Sequence, residues 1–130
     1  MVSCNSGTQK PSANQSVETG EAKFVFSEEI HNFGSLKAGE VVVFTFVFKN
    51  EGTKALTITG VDADCDCTQV KFPENPVEPG QEGYVEVIYN SSGEVGRQLK
   101  RIILFSNAEP TQKELYIKAD VTNEIIEINS

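Results

Sequence analysis

Residues 40–50, Glu-Val-Val-Val-Phe-Thr-Phe-Val-Phe-Lys-Asn, constrain the fold of this chain more than any other stretch. Successive side chains of a strand point to opposite faces. Val42, Phe44, Phe46 and Phe48 therefore share one face, and Val41, Val43 and Val47 share the other. β-Branched and aromatic residues suit a pleated surface and lose rotamer freedom in a helix. A strand that is apolar on both faces is expected to be central in its sheet or well covered.

The same grammar runs through the rest of the chain from Phe24 and Phe26 onward, as short apolar runs separated by Gly, Pro and Asn. After the turn Asn50-Glu51-Gly52, Leu56 and Ile58 point one way and Thr57 and Thr59 the other. Gly60 then breaks the phase, so that Val61, Ala63 and Cys65 become the buried set; a bulge at Gly60 would do this. Asp62, Asp64 and Asp66 fall on the opposite, solvent-facing side provided the stretch stays extended. Val70 and Phe72 lead into residues 73–83, where three prolines and two glycines rule out a helix. Three more strands are expected at 84–89, 99–105 and 113–121. About seven strands over a hundred residues, with no helical stripe of useful length, predict an all-β sandwich of two sheets rather than a closed barrel.

A chain of 130 residues with 38% hydrophobic residues and eight Phe supports one core. Residues 1–22 are rich in Ser, Asn, Gly, Thr and Gln without apolar periodicity, the composition of a solvated tether, and the sandwich is assigned to 23–130. The net charge of −8 and a pI near 4.6 argue against nucleic acid and against peripheral attraction to anionic lipid, both of which draw on clustered Lys and Arg. There is no run of about 18 apolar residues, so no helical span is expected and any membrane attachment must be covalent.

Cys4 supplies a candidate for that attachment. It follows Val2 and Ser3 at the head of the tether and resembles the end of a bacterial lipobox, in which small residues precede a lipid-modified Cys. Met1 stands where Leu is usual. Cys65-Asp66-Cys67 is the second candidate, open to three readings: two small core residues, a redox pair, or a soft-metal site completed by His31. In a regular strand, residues two apart are roughly 6.6 Å apart, too far for a relaxed disulfide, so a bond requires a kink. Asp62, Asp64 and Asp66 beside the pair would push thiolate pKa upward and disfavour a potent nucleophile. The three aspartates do not open a calcium loop, because Cys67 stands where Gly is required and Pro73 where the closing Glu belongs. His31, the only histidine, is expected to cap a turn or face solvent. With one histidine and no nucleophile paired to a base, the chain reads as a non-enzyme with no cofactor.

Six ordered pieces carry a family resemblance: His31-Asn32-Phe33-Gly34, Lys37-Ala38-Gly39-Glu40, Phe46-Val47-Phe48-Lys49-Asn50-Glu51-Gly52, Cys65-Asp66-Cys67-Thr68, Val77-Glu78-Pro79-Gly80 and Ser106-Asn107-Ala108. Together they resemble the bacterial envelope family called domain of unknown function fifteen-seventy-three. The resemblance implies an immunoglobulin-like sandwich, related to major sperm protein and PapD-type modules, in secreted proteins and lipoproteins of Gram-negative bacteria. It implies no activity. Asp66 stands where the family usually has Gly, and Asn32 where Asp is common. The expectation is an envelope lipoprotein anchored by lipid on Cys4, periplasm-facing or surface-exposed, presenting sheet edges and loops to a protein or glycan partner. The alternative is thiol redox or Cu(I)/Zn binding through Cys65 and Cys67. An edge strand, or the segment 125–128, could pair with a partner chain.

Overall fold

The structure is a computed structural model that describes residues 20–123. Cys4 and the segment 125–128 lie outside the described residues. Eight strands form two four-stranded sheets: β1 (Phe24–Phe26), β2 (Ile30–Lys37), β3 (Val41–Asn50), β4 (Ile58–Ala63), β5 (Thr68–Lys71), β6 (Glu82–Asn90), β7 (Gly96–Ser106) and β8 (Gln112–Thr122). One sheet runs β1-β3-β6-β5 and the other β2-β8-β7-β4. Pairing is antiparallel except between β2 and β8, which are parallel.

Alternation decides the core. Phe24, Phe26, Phe46, Phe48, Val85, Val87 and Tyr89 fill the inner face of the first sheet; Leu36, Ile58, Ile102, Leu104, Leu115, Ile117, Ala119 and Val121 fill that of the second. Phe48 packs edge-on to Phe24, with ring centroids 4.9 Å apart, and tilted against Phe26 at 5.4 Å. Gly83 is open space for this ring: a Cβ there would lie 2.3 Å from Phe48 Cζ. The phase break expected at Gly60 is present as a register shift between Ile58 and Gly60 in the pairing of β4 with β7.

The chain changes sheets five times, and two of these crossings bear on the sites below. Between β1 and β2 it crosses at residues 27–29 from the first sheet to the second. Between β4 and β5 it crosses back through the turn 64–67, where the Asp64 N–H donates to the Arg101 carbonyl of β7 and the Asn90 N–H of β6 donates to the Cys67 carbonyl. Both crossings turn out to frame the functional surfaces described below.

Three polar side chains tie the loops. Asn50 is fully buried; its Oδ1 accepts from the N–H of Lys23 and Gly52, and its Nδ2 donates to the carbonyls of Lys54 and Val77. Ser91 accepts from the Gly39 N–H and donates to the Glu40 carbonyl, holding the β2–β3 turn. Asn107 accepts from the Thr57 N–H and donates to the Ala55 carbonyl. Most of the family pieces are thus loop ties, and a buried amide so satisfied, as that of Asn50 is, specifies one arrangement of backbone.

Two expectations need correction, and two others hold with added detail. The two-sheet sandwich of about seven strands is present with eight; the added one is β2, which has no clean alternation and is a bulged edge whose register shifts between Asn32 and Ser35. Ala22, assigned to the tether, is buried and bridges Ala108, and the Thr53 N–H donates to the Glu21 carbonyl, so the packed chain begins a residue or two earlier. The stretch carrying Asp62, Asp64 and Asp66 stays extended only to Ala63, although all three carboxylates do face solvent. And β3 is central in its sheet, one of the two arrangements expected, with its outer face open: Val41 is 55% and Val43 53% exposed.

Candidate functional sites at an open strand edge and a cysteine turn

β3 is ten residues long, yet β1 pairs only with its last three, Phe48 to Asn50. The odd residues of β3 face β1: the Val47 carbonyl accepts from the Ser27 N–H, and the Glu51 N–H just beyond the strand donates to the Lys23 carbonyl. The even residues face β6, as the Asn50 N–H donating to the Gln81 carbonyl shows. By this alternation the N–H and C=O groups of Val41, Val43 and Thr45 point along the sheet into the space that β1 vacates when it crosses at 27–29. Among the described residues no strand pairs with that edge. It carries no charge, proline or bulge, the usual devices that protect an exposed edge.

His31 lies on β2, directly below this gap. Its ring stacks flat on Phe44, with centroids 3.7 Å apart and planes 8° apart, and meets Phe33 edge-on at 4.7 Å. His31 therefore neither caps a turn nor stands free in solvent; it is half-buried and closes the side of the sandwich. Its polar contact is the Glu28 carboxylate, 3.8 Å from Nδ1. His31 does not join the cysteines either.

The cysteines sit at the other crossing. Cys65 and Cys67 are bonded to each other, with Cα atoms 5.1 Å apart, shorter than an extended strand allows. The required kink is the turn 64–67, closed by the Thr68 N–H donating to the Cys65 carbonyl. Both residues are half-buried, so the reading as two plain core residues gives way to a cystine at the rim. The third metal-capable group beside the sulfurs is Glu94, within 4.8 Å of both, in the place the sequence reading gave to His31. The Glu94 carboxylate is held by Lys100 Nζ at 2.9 Å and by the Tyr89 hydroxyl, which donates to it at 3.5 Å. Burial, and then the Glu94 charge, push the Tyr89 phenol up to about 12. The Cys67 N–H lies 3.1 Å from Cys65 Sγ, and Thr68 Oγ1 lies 3.6 Å from Cys67 Sγ. A shallow cavity of about 490 Å³ opens beside Cys67, lined also by Val41, Asp66, Gln69, Ile88 and Asn90.

As a cross-link the bond does little. It skips one residue, and closing a loop this short removes only about 1.6 kcal/mol of unfolded-chain entropy, against about 4.7 for a loop of a hundred residues.

Glu94 was not legible beside the cysteines, because it follows them by 27 residues and reaches them only through the pairing of Thr68 with Tyr89. The open edge of β3 was likewise hidden, since alternation reveals which face a side chain takes and not which strand is the neighbour.

Fold and sites together define an immunoglobulin-like sandwich module with an unpaired stretch along β3 and a cystine turn. The chain belongs to the family described as protein of unknown function (DUF1573), which matches residues 24–121. No curated protein is similar to it in sequence. Among solved structures it is similar to a protein of unknown function from Porphyromonas gingivalis W83, with a TM-score of 0.64 and 15% identity over 78% of this chain and 46% of that one. The chain thus spans under half of that protein's length. It is also similar to the ASH/PapD-like domain of human CEP192, with a TM-score of 0.61 and 13% identity over 79% of this chain and 87% of that domain. A third is WR4, a C. elegans MSP family member, with a TM-score of 0.50 and 11% identity over 78% of this chain and 99% of that one. At these identities the likenesses bear on fold alone, and they agree with the relation to PapD-type and major sperm protein modules that the sequence pieces implied.

Proposed function

We propose that this chain is a non-catalytic envelope lipoprotein, held at a membrane by lipid on Cys4, whose sandwich docks a protein partner by strand addition along the open edge of β3. The observation that carries this reading is the unpaired run Val41, Val43 and Thr45, whose backbone groups and outward valines face solvent. A partner strand would satisfy those groups as an added neighbour satisfies any sheet edge, and an extended, uncharged, β-branched segment fits the valines best. A protein strand is favoured over a glycan because the edge offers a ladder of main-chain donors and acceptors. The Cys65–Cys67 bond suits an oxidising compartment such as the periplasm. The lipid on Cys4 rests on the lipobox-like Val2-Ser3-Cys4 and the polar composition of the residues that follow.

Proline at Val43 removes one outward N–H without breaking a bond to β6, and edge positions of this kind tolerate proline. A photo-crosslinker at Thr45 in the full chain, expressed in a Gram-negative envelope, is expected to give a discrete protein adduct that Val43→Pro abolishes. The same probe at Leu99, on the opposite sheet, is expected to give none. An adduct that persists in Val43→Pro with the fold intact by circular dichroism removes the edge from the account. Retention of Cys4→Ser in the membrane fraction removes the lipid anchor.

A further inference from the structure

We propose that Cys65–Cys67 is a reversible thiol–disulfide exchange site, attacked at Cys67 by a thiol entering from the adjacent cavity. The inference is independent of strand docking and concerns the opposite crossing of the chain.

The two sulfurs are not equivalent. Cys67 lines the cavity, whereas Cys65 Sγ has the Cys67 N–H at 3.1 Å, a donor placed to stabilise negative charge on that sulfur. An entering thiolate forms a bond to Cys67 Sγ and breaks the bond between the cysteines; the electron pair leaves on Cys65 Sγ. That thiolate then takes up the proton that the entering thiol released. The product is a mixed disulfide on Cys67 with a free thiol on Cys65. A second thiol, or the second sulfur of a dithiol, displaces the entering group as its disulfide and leaves both cysteines reduced. The reverse sequence, from a disulfide, re-forms the pair.

Glu94 brings a negative charge within 4.8 Å of both sulfurs, which opposes thiolate there, while Lys100 at 2.9 Å from its carboxylate and the Cys67 N–H at Cys65 Sγ offset part of it. Glu94, fixed by Lys100 and Tyr89, is positioned within 4.8 Å of both sulfurs to pass the proton on. A cystine that closes so short a loop at the rim of a cavity is dispensable as a staple and exposed as an electrophile.

The test uses the full chain carrying Cys4→Ser, so that the Cys4 thiol is silent. The protein is purified without reductant and titrated with a reduced and oxidised glutathione buffer, then with dithiothreitol. Acid quenching, alkylation and mass spectrometry count thiols, while circular dichroism follows the fold. The pair is expected to open and re-form reversibly in the folded protein. With Cys65→Ser added, Cys67 is expected to form a one-to-one glutathione adduct at least ten times faster than Cys65 does in the Cys67→Ser variant. A pair that opens only when denaturant unfolds the chain, or single-cysteine variants that react at equal rates, overturns the proposal. Reversible opening of the unsubstituted pair is read without either variant, so the test stands even if one of them misfolds.

Discussion

The imidazole of His31 lies flat on the ring of Phe44, centroids 3.7 Å apart, and this stack closes the sandwich where β3 has lost its neighbour. β2 and β3 belong to different sheets, so the stack is the bridge between them along the open side. Its role is that of a flat ring. His31→Ala is expected to lower unfolding free energy by about 1 kcal/mol, the worth of one aromatic contact at a half-buried site. His31→Phe, which keeps the ring and removes the nitrogens, is expected to stay within about 0.5 kcal/mol of the parent. Urea denaturation at unchanged m-value measures both. A large loss in His31→Phe would mean that the nitrogens, and not the ring, hold the site.

Asn50 is the single side chain on which the most backbone depends. Its loss in Asn50→Ala strands the carbonyls of Val77 and Lys54 and the N–H groups of Lys23 and Gly52, each at a cost of roughly 1–3 kcal/mol where water does not replace it. A destabilisation of about 3 kcal/mol or more is expected. Asn50→Asp keeps the acceptor and turns the donor into an oxygen facing two carbonyls, so it is expected to be at least as damaging. Thermal unfolding of both variants checks the order, and an Asp variant as stable as the parent would contradict it.

Much of this architecture could be read from the chain before any coordinates. The faces of β3, the phase break at Gly60 and the last strand with Leu115, Ile117, Ala119 and Val121 buried all followed from alternation. β2 did not, because its residues Ile30 to Lys37 alternate poorly and gain their order from parallel pairing with β8, some 85 residues away. His31 misled for a related reason: its stacking partner Phe44 is on another sheet, and a lone histidine in sequence carries no sign of that. The cysteine spacing correctly set the condition for a bond, a kink, but not that the chain meets it by changing sheets at 64–67. The same crossing brings Glu94 to the sulfurs.

Tyr89 links the core to the cysteine turn and is expected to make stability depend on alkaline pH. An unfolded tyrosine ionises near 10, whereas in the fold burial and Glu94 hold the Tyr89 proton up to about 12. Between these values the native state keeps a proton that the unfolded state has released. Stability conferred by the neutral phenol is therefore fully present below pH 10 and is lost as pH rises from about 10 to about 12. The unfolding free energy of the parent relative to Tyr89→Phe is expected to fall across that window and to be flat below it. A difference that is constant from pH 9 to 12 (roughly the range chemical denaturation allows) would show that Tyr89 ionises as freely in the fold as out of it.

The docking account turns on the edge of β3, and amide hydrogen exchange reads that edge residue by residue. In the isolated full chain, Val42, Phe44 and Phe46 are expected to be protected by β6, while Val41, Val43 and Thr45 exchange fast. In native envelope membranes the same three odd residues are expected to become slow, as a partner strand takes their N–H groups. If they are already slow in the isolated chain, or remain fast in the membranes, strand addition at β3 is not what this domain does.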